Sequence, residues 1–212
     1  MTATRRIGAE DSATRTALLD AAMQLMIEEG YAAVTSRRVA AKAGLKPQLV
    51  HYYFRTMDDL FVALVRRGAE QNLKRQARAL ASPQPLRALW AFSTDPAGTA
   101  FIMEISALAN HRKEIRAEWA AYAEQFRQLQ NEALTSVFEG YGVDPEQLPP
   151  EALVVMITAI SRILAMEEAL GMTSGHAQMR ALVEGVLARY EGEPLTAASA
   201  DKDRQRLEAA DR

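Results

Sequence analysis

Between Lys46 and Tyr53 the sequence gathers a cation, an amide and three successive rings, His51, Tyr52 and Tyr53. Such a set suits recognition better than bond-making. An amide can pair bidentately with adenine, a cation with phosphate, and an apolar or ring face with a thymine methyl. Groups that could do covalent chemistry lack the spacing for it. His51, His111 and His176 lie far apart, so no metal site is expected. Acid pairs such as Glu28-Glu29, Asp58-Asp59 and Glu167-Glu168 are adjacent residues, which diverge by about 100° on a helix. No glycine-rich phosphate loop and no serine elbow occurs, so neither catalysis nor a cofactor is expected.

The elements that must hold these groups are two short helices and a tight turn. Thr35 is a good N-cap for a helix running through Val39 and Ala40 to Ala43, and Gly44 breaks it. A second helix covers Pro47 to Tyr53, with Pro47 in the first turn, where its missing N–H costs nothing. Small Ala40 and Ala43 permit close approach, while Val39, Leu45, Val50 and Phe54 form an apolar seam. This is the logic of a helix-turn-helix, whose second helix lies in a DNA major groove. Lys46, Gln48, Leu49, Tyr52 and Tyr53 are then its exposed positions. Three consecutive rings cannot all face inward at about 100° per residue, so at least one must point out.

The rest of the chain also reads as helix, with no sustained alternation of strand type. A first helix begins near Ser12 or Thr14 and stops at Gly30, and a fourth opens at Thr56, where Thr56 to Asp59 imitates a capping box. Further helices are expected over 86–92, 97–110, 112–139, 150–170 and 177–190, separated by Asp95-Pro96, Gly140 to Gly142, Pro149-Pro150 and Gly171 to Gly175. The fold class is all-α: a helix-turn-helix domain over 1–55, a helical body over 56–192, and a mobile tail over 193–212 in which a short helix over 202–210 is conceivable.

Composition is ordinary for a globular chain, with 49% hydrophobic and 25% charged residues in 212. Net charge is −2, but residues 1–80 hold 13 Lys/Arg against 8 Asp/Glu, and residues 81–212 hold 12 against 19. A basic N-terminal part on an acidic body fits a DNA-reading module on a non-DNA domain. The absence of cysteine excludes disulfides and thiolate metal sites, consistent with a cytoplasmic protein. No apolar run follows Arg5 and Arg6, and the most apolar stretch, 153–170, is interrupted by Arg162, Glu167 and Glu168, so neither signal peptide nor membrane span is expected.

Over Thr14 to Arg67 the sequence resembles the tetracycline-repressor-like (TetR) family. The markers are Glu28-Glu29-Gly30-Tyr31, Val34-Thr35, Val39-Ala40 with Ala43-Gly44-Leu45, the ring cluster closing at Phe54, and Asp58-Asp59-Leu60-Phe61. The resemblance implies a homodimeric repressor of a palindromic double-stranded DNA operator, released by a small apolar effector. It implies DNA contacts from Thr35, Ser36, Arg37, Lys46, Pro47, Gln48, Leu49, His51, Tyr52 and Tyr53. Three positions depart from the family pattern: Lys46 stands for the usual Ser, His51 for Tyr, and Met57 for Lys. Met57 cannot donate from its side chain, so one usual phosphate contact is missing.

In the body, the segment 152–170 is apolar on most of its circumference, which demands burial on more than one side. A second stripe runs through Met179, Leu182, Val183, Val186 and Leu187, edged by Ala177, Ala181 and Gly185. Leu153, Ile157, Ile160, Leu164, Ala181, Leu182, Gly185 and Val186 are thus candidates for a dimer interface, which the family builds from its last two helices. The family also carries an effector pocket, for which Trp90, Phe101, Met103, Leu108, Trp119, Tyr122, Phe126 and Met166 are the candidates here. Glu104 and His111 could each supply a polar anchor.

Overall fold

Helix signals at the ends of each segment set the architecture. A computed structural model describes residues 12–195. Ser12 caps helix α1 (Ala13–Glu29), its hydroxyl accepting from the Arg15 N–H at 3.1 Å. The helix stops at Gly30, whose φ of 83° is open to glycine alone at low cost. A 3-10 turn, Tyr31–Ala33, leads to Thr35, which caps α2 (Ser36–Lys42) by accepting from the Arg38 N–H at 3.4 Å. Gly44, at φ 68°, makes the turn into α3 (Pro47–Tyr53).

Thr56 then opens α4 (Met57–Leu80). Its hydroxyl accepts from the Asp59 N–H at 3.1 Å, and the Asp59 carboxylate accepts from the Thr56 N–H at 2.9 Å. Two backbone donors that a helix start would leave unpaired are thereby satisfied. There follow α5 (Pro85–Ser93), α6 (Pro96–His111), α7 (Lys113–Tyr141), α8 (Pro150–Ala169) and α9 (His176–Glu191). Proline stands first in α5, α6 and α8, where no intrahelical N–H bond is forfeited. No strand occurs among the described residues, and the all-α class is as expected. The sequence ranges for the helices hold to within about two residues of those seen. Residues 196–212, including the short helix conceivable over 202–210, lie outside the described residues.

Packing divides the chain into two units. Among the described residues the first comprises 12–73 and 96–126. Its core joins Leu18, Ala22, Leu25 and Met26 of α1 to Val39, Val50 and Phe54, and then to Leu60 and Leu64 of α4. Phe101, Ile105 and Leu108 of α6 and Ile115 of α7 complete it. The approach of α6 to α4 is close: a Cβ on Gly68 would stand 2.8 Å from the Phe101 ring, so only glycine fits there. The apolar stripe of α6 belongs to the same core as α1.

Among the described residues the second unit comprises 74–95 and 127–195. Leu86, Leu89, Leu134, Phe138, Val154 and Leu187 form its core. The Glu191 carboxylate accepts from the Leu86 and Arg87 N–H groups, at 2.7 and 2.9 Å, which caps α5 from the end of α9. The Tyr141 hydroxyl donates to the same carboxylate at 2.9 Å, and the Tyr141 and Tyr190 rings stack at 6.2 Å.

Candidate nucleic-acid interface

The recognition segment is held by what it buries. Val50 is 1% exposed and Phe54 3%, while Leu45 and Tyr53 pack against the same core. With α3 anchored on that side, its opposite face is left open: Lys46, Pro47, Gln48, His51 and Tyr52 are exposed, and Leu49 is half-buried. Of the three rings, His51 and Tyr52 face out, Tyr52 with 42% of its surface exposed. Tyr53 turns toward the core and meets Tyr52 edge to face at 5.0 Å. At the start of α2, Thr35 and Arg37 are exposed and Ser36 is half-buried. Eight of the ten candidate residues thus fall on the two helix starts and the open face of one short helix, whereas Leu49 is half-buried and Tyr53 packs on the core side.

Charge around this face is sorted by ion pairs. The Arg38 guanidinium is bound by Glu29 at 2.5 and 2.6 Å, and the Lys42 ammonium by Glu28 at 2.7 Å. The hydrogen bond from Arg38 holds the Glu29 carboxyl below the usual carboxylate range. Both cations of α2's far side are therefore engaged by the acidic end of α1. Arg37, Lys46 and Arg55 carry no ion pair among the described residues. Arg55 has one local signal in the sequence, a cation placed between the ring cluster and the Thr56 cap. Met57, where the family's lysine would be, packs against the first core. Above Phe54, the Arg15 guanidinium stands 5.2 Å from the ring centre and ties the end of α3 to α1.

The effector candidates are distributed between the two units. Phe101 and Leu108 belong to the core of the first, Met103 is half-buried on α6, and Trp119, Tyr122 and Phe126 form a ladder of rings along α7 at 5.3 and 5.9 Å. Met166 is half-buried on α8. Trp90 lines an apolar cavity of about 190 Å³ in the second unit, whose walls include Leu86 and Phe138 and, at the surface, Met156, Leu182 and Val186. Glu104 is already engaged, accepting from the Tyr31 N–H at 2.7 Å, and His111 is exposed at the end of α6. Among the described residues no group of side chains is arranged to hold a metal ion, and no helix is long and apolar enough to cross a membrane.

Of the interface candidates, Leu182 and Val186 are 64% and 47% exposed, and Ala181 and Gly185 beside them are open. Leu153, Ile157 and Ile160 are half-buried, the first two against the second core. Leu164, at 5% exposure, is already covered within the chain. Met156 and Ile163, which the reading of α8 did not single out for the interface, are 47% and 48% exposed.

Comparison with known proteins follows this geometry. Residues 18–64 match the family model for bacterial regulatory proteins, tetR family. Over 52 residues, 24% of this chain, it is 40% identical to the HTH-type transcriptional regulator BetI of Rhizobium meliloti (strain 1021). Over 140 residues, 61% of this chain, it is 26% identical to the HTH-type transcriptional repressor BepR of Brucella suis biovar 1 (strain 1330). These matches span 26% and 65% of the two relatives' own lengths. A solved structure from a Rhodococcus species, described as a TetR-family transcriptional regulator, shares the fold with a TM-score of 0.67 at 18% identity, over 85% of this chain and 100% of the other.

Proposed function

We propose that the chain, whose residues 18–64 match the family model for bacterial regulatory proteins, tetR family, is a homodimeric repressor reading a palindromic operator. The observation that carries the reading is the open face of α3. Lys46, Gln48, His51 and Tyr52 stand in solvent there, while Val50 and Phe54 fix the helix from behind. An exposed row of this composition is complementary to a major groove: Gln48 for a base edge, Lys46, Arg37 and the Thr35 end of α2 for phosphates. Tyr52 offers an apolar ring with a donor at its tip. One such short helix makes few contacts, and two of them about 34–36 Å apart would read two half-sites one DNA turn apart.

The face formed by Met156, Ile163, Leu182 and Val186 supports the dimer. It is a contiguous type of surface that soluble monomers seldom leave open. The apolar cavity at Trp90 shares Met156, Leu182 and Val186 with that face, so a small apolar effector bound there would act on the dimer and through it on operator affinity. Selection of bound duplexes from random DNA tests the central reading. Recovery of a two-fold symmetric sequence, bound with a steep salt dependence, is expected. A pool that never departs from random sequence overturns it. Apolar ligands screened for release of that duplex test the effector, and an affinity unmoved by all of them removes it.

A further inference from the structure

The carboxylate of Glu104 sits 73 residues along the chain from the N–H that it binds, and that N–H lies at the entrance to the helix-turn-helix. Its Oε2 accepts from Tyr31 at 2.7 Å, and a Cβ on Gly30 would stand 3.2 Å from the same oxygen. Tyr31 opens the 3-10 turn that follows α1, and the first donor of such a turn has no partner within it. The chain leaves α1 in a conformation open to glycine and presents its next donor to a charged acceptor. From there to Thr35 the donors of Ala33, Val34 and Thr35 are spent in a tight relay, on Gly30, Tyr31 and Ala33 respectively, at 3.0–3.1 Å. Val34, at 4% exposure, pins the relay into the core. A displacement at Tyr31 is therefore carried to the N-cap of α2, four residues on.

Glu104 is itself held in place. Phe101, one turn before it on α6, abuts Gly68 of α4, and Ile105, the next residue, is fully buried. Just past the end of α6, Arg112 pairs with Asp58 in the first turn of α4. The carboxylate thus projects from a rigid support onto the one turn that sets where α2 begins.

We propose that Glu104 is a positioning residue for operator recognition, fixing the Thr35 end of α2 relative to α3 through the Tyr31 N–H, and not an anchor for a ligand. This rests on the operator reading above. A charge-assisted hydrogen bond to a partly buried donor is among the stronger local restraints a chain can make. Because Glu104 touches neither DNA nor the α3 face, its loss should alter the fit to the correct sequence and leave general attraction to DNA in place.

The test uses the full chain with Glu104→Gln, which keeps an acceptor, and with Glu104→Met and Glu104→Ala, which do not. Affinity is measured for the selected operator and for an unrelated duplex of equal length, with exchange of the Tyr31 amide followed by NMR. Glu104→Met is expected to weaken operator binding by about tenfold and to speed Tyr31 exchange similarly. Binding to the unrelated duplex stays within about twofold, and Glu104→Gln recovers most of the operator affinity. Glu104→Met fills the same space, so it gives the result even where Glu104→Ala does not fold. Operator affinity of Glu104→Met within about twofold of the parent overturns the proposal, as does an equal fall on both duplexes. A parent chain that binds no selected DNA overturns the operator reading itself, which is a different outcome.

Discussion

Glu29 grips Arg38 with both carboxylate oxygens, at 2.5 and 2.6 Å, across the junction of α1 and α2. An arginine on the second helix of a DNA-reading motif invites assignment as a phosphate contact, but this one is neutralised by its neighbour. Glu29→Gln should release it. The salt dependence of binding to unrelated DNA is then expected to steepen by about 0.9 in the log–log slope, the increment for one more phosphate neutralised. Arg38→Ala in the parent should leave the slope almost unchanged, whereas Arg37→Ala should lower it by about the same 0.9. Equal slopes for the Arg37 and Arg38 variants would remove this distinction between the two arginines.

Arg55 is expected to supply the phosphate contact that Met57 cannot. It is exposed, lies two residues before Met57, and has no ion pair among the described residues. Arg55→Ala should weaken binding to all duplexes alike. Gln48→Ala should differ in kind, relaxing the preference at one base pair per half-site at a cost of about 1–3 kcal/mol. Competition between the selected operator and its single-position variants separates the two effects. A narrow, position-specific loss for Arg55→Ala would reassign it as a base reader.

Much of this was legible in the sequence because it is local. The bounds of α3 follow from Pro47 and from the apolar seam through Val50 to Phe54, and the Thr56–Asp59 box is written in four adjacent residues. Interactions distant in sequence were not legible. Nothing near Glu104 signals that its carboxylate binds a donor 73 positions earlier, and nothing near Phe101 signals Gly68. A ring at helical spacing on α6 or α7 has the same local pattern whether it lines a cavity or fills a core. Lys42 and Arg38 look like free cations until the acidic end of α1 is folded against them.

Gly68 provides a stability test of that non-local packing. Gly68→Ala improves helix propensity in α4 by about 1 kcal/mol, but its methyl group would meet the Phe101 ring at 2.8 Å. Overpacking of this kind costs about 1–3 kcal/mol, so a net loss of stability is expected in urea unfolding. Pairing it with Phe101→Leu should return part of that loss, since the two sites share one contact. Additive effects would mean that the contact is not the cause.

His176 makes stability depend on pH. It opens α9 at 6% exposure, with Nε2 2.7 Å from Glu167 and Nδ1 3.4 Å from Glu168, which also binds Arg180 at 2.5 Å. The hydrogen bond that the imidazole donates to Glu167 raises His176 above its ordinary value of 6.5, and the bond to Glu168 adds to this. A raised folded-state value means that the protonated imidazole stabilises the fold. That contribution is complete below pH 6.5 and is lost as pH rises through the raised value. The difference in melting temperature between the parent and His176→Gln should therefore be largest below pH 6.5 and shrink as pH rises through the raised value. A difference that grows with pH has the wrong sign and would exclude the ion-paired histidine.

The open face of α8 and α9 makes the final prediction. Leu182 is 64% exposed, so Leu182→Glu removes little from the chain's own core, and the melting of an isolated chain should barely change. If two copies meet on this face, the same substitution buries a carboxylate in each of two symmetric positions, without a partner for either. Sedimentation should then show a dimer for the parent and a monomer for Leu182→Glu. Operator affinity should fall by at least about a hundredfold, because a monomer engages one half-site where the dimer engages two. Leu164→Ala works as the contrast. Its side chain is covered within the chain, so it should lower stability by about 2–5 kcal/mol through a cavity, without making monomers of folded protein. A dimer that survives Leu182→Glu at micromolar concentration would move the interface off this face and, with it, the spacing of the two α3 helices.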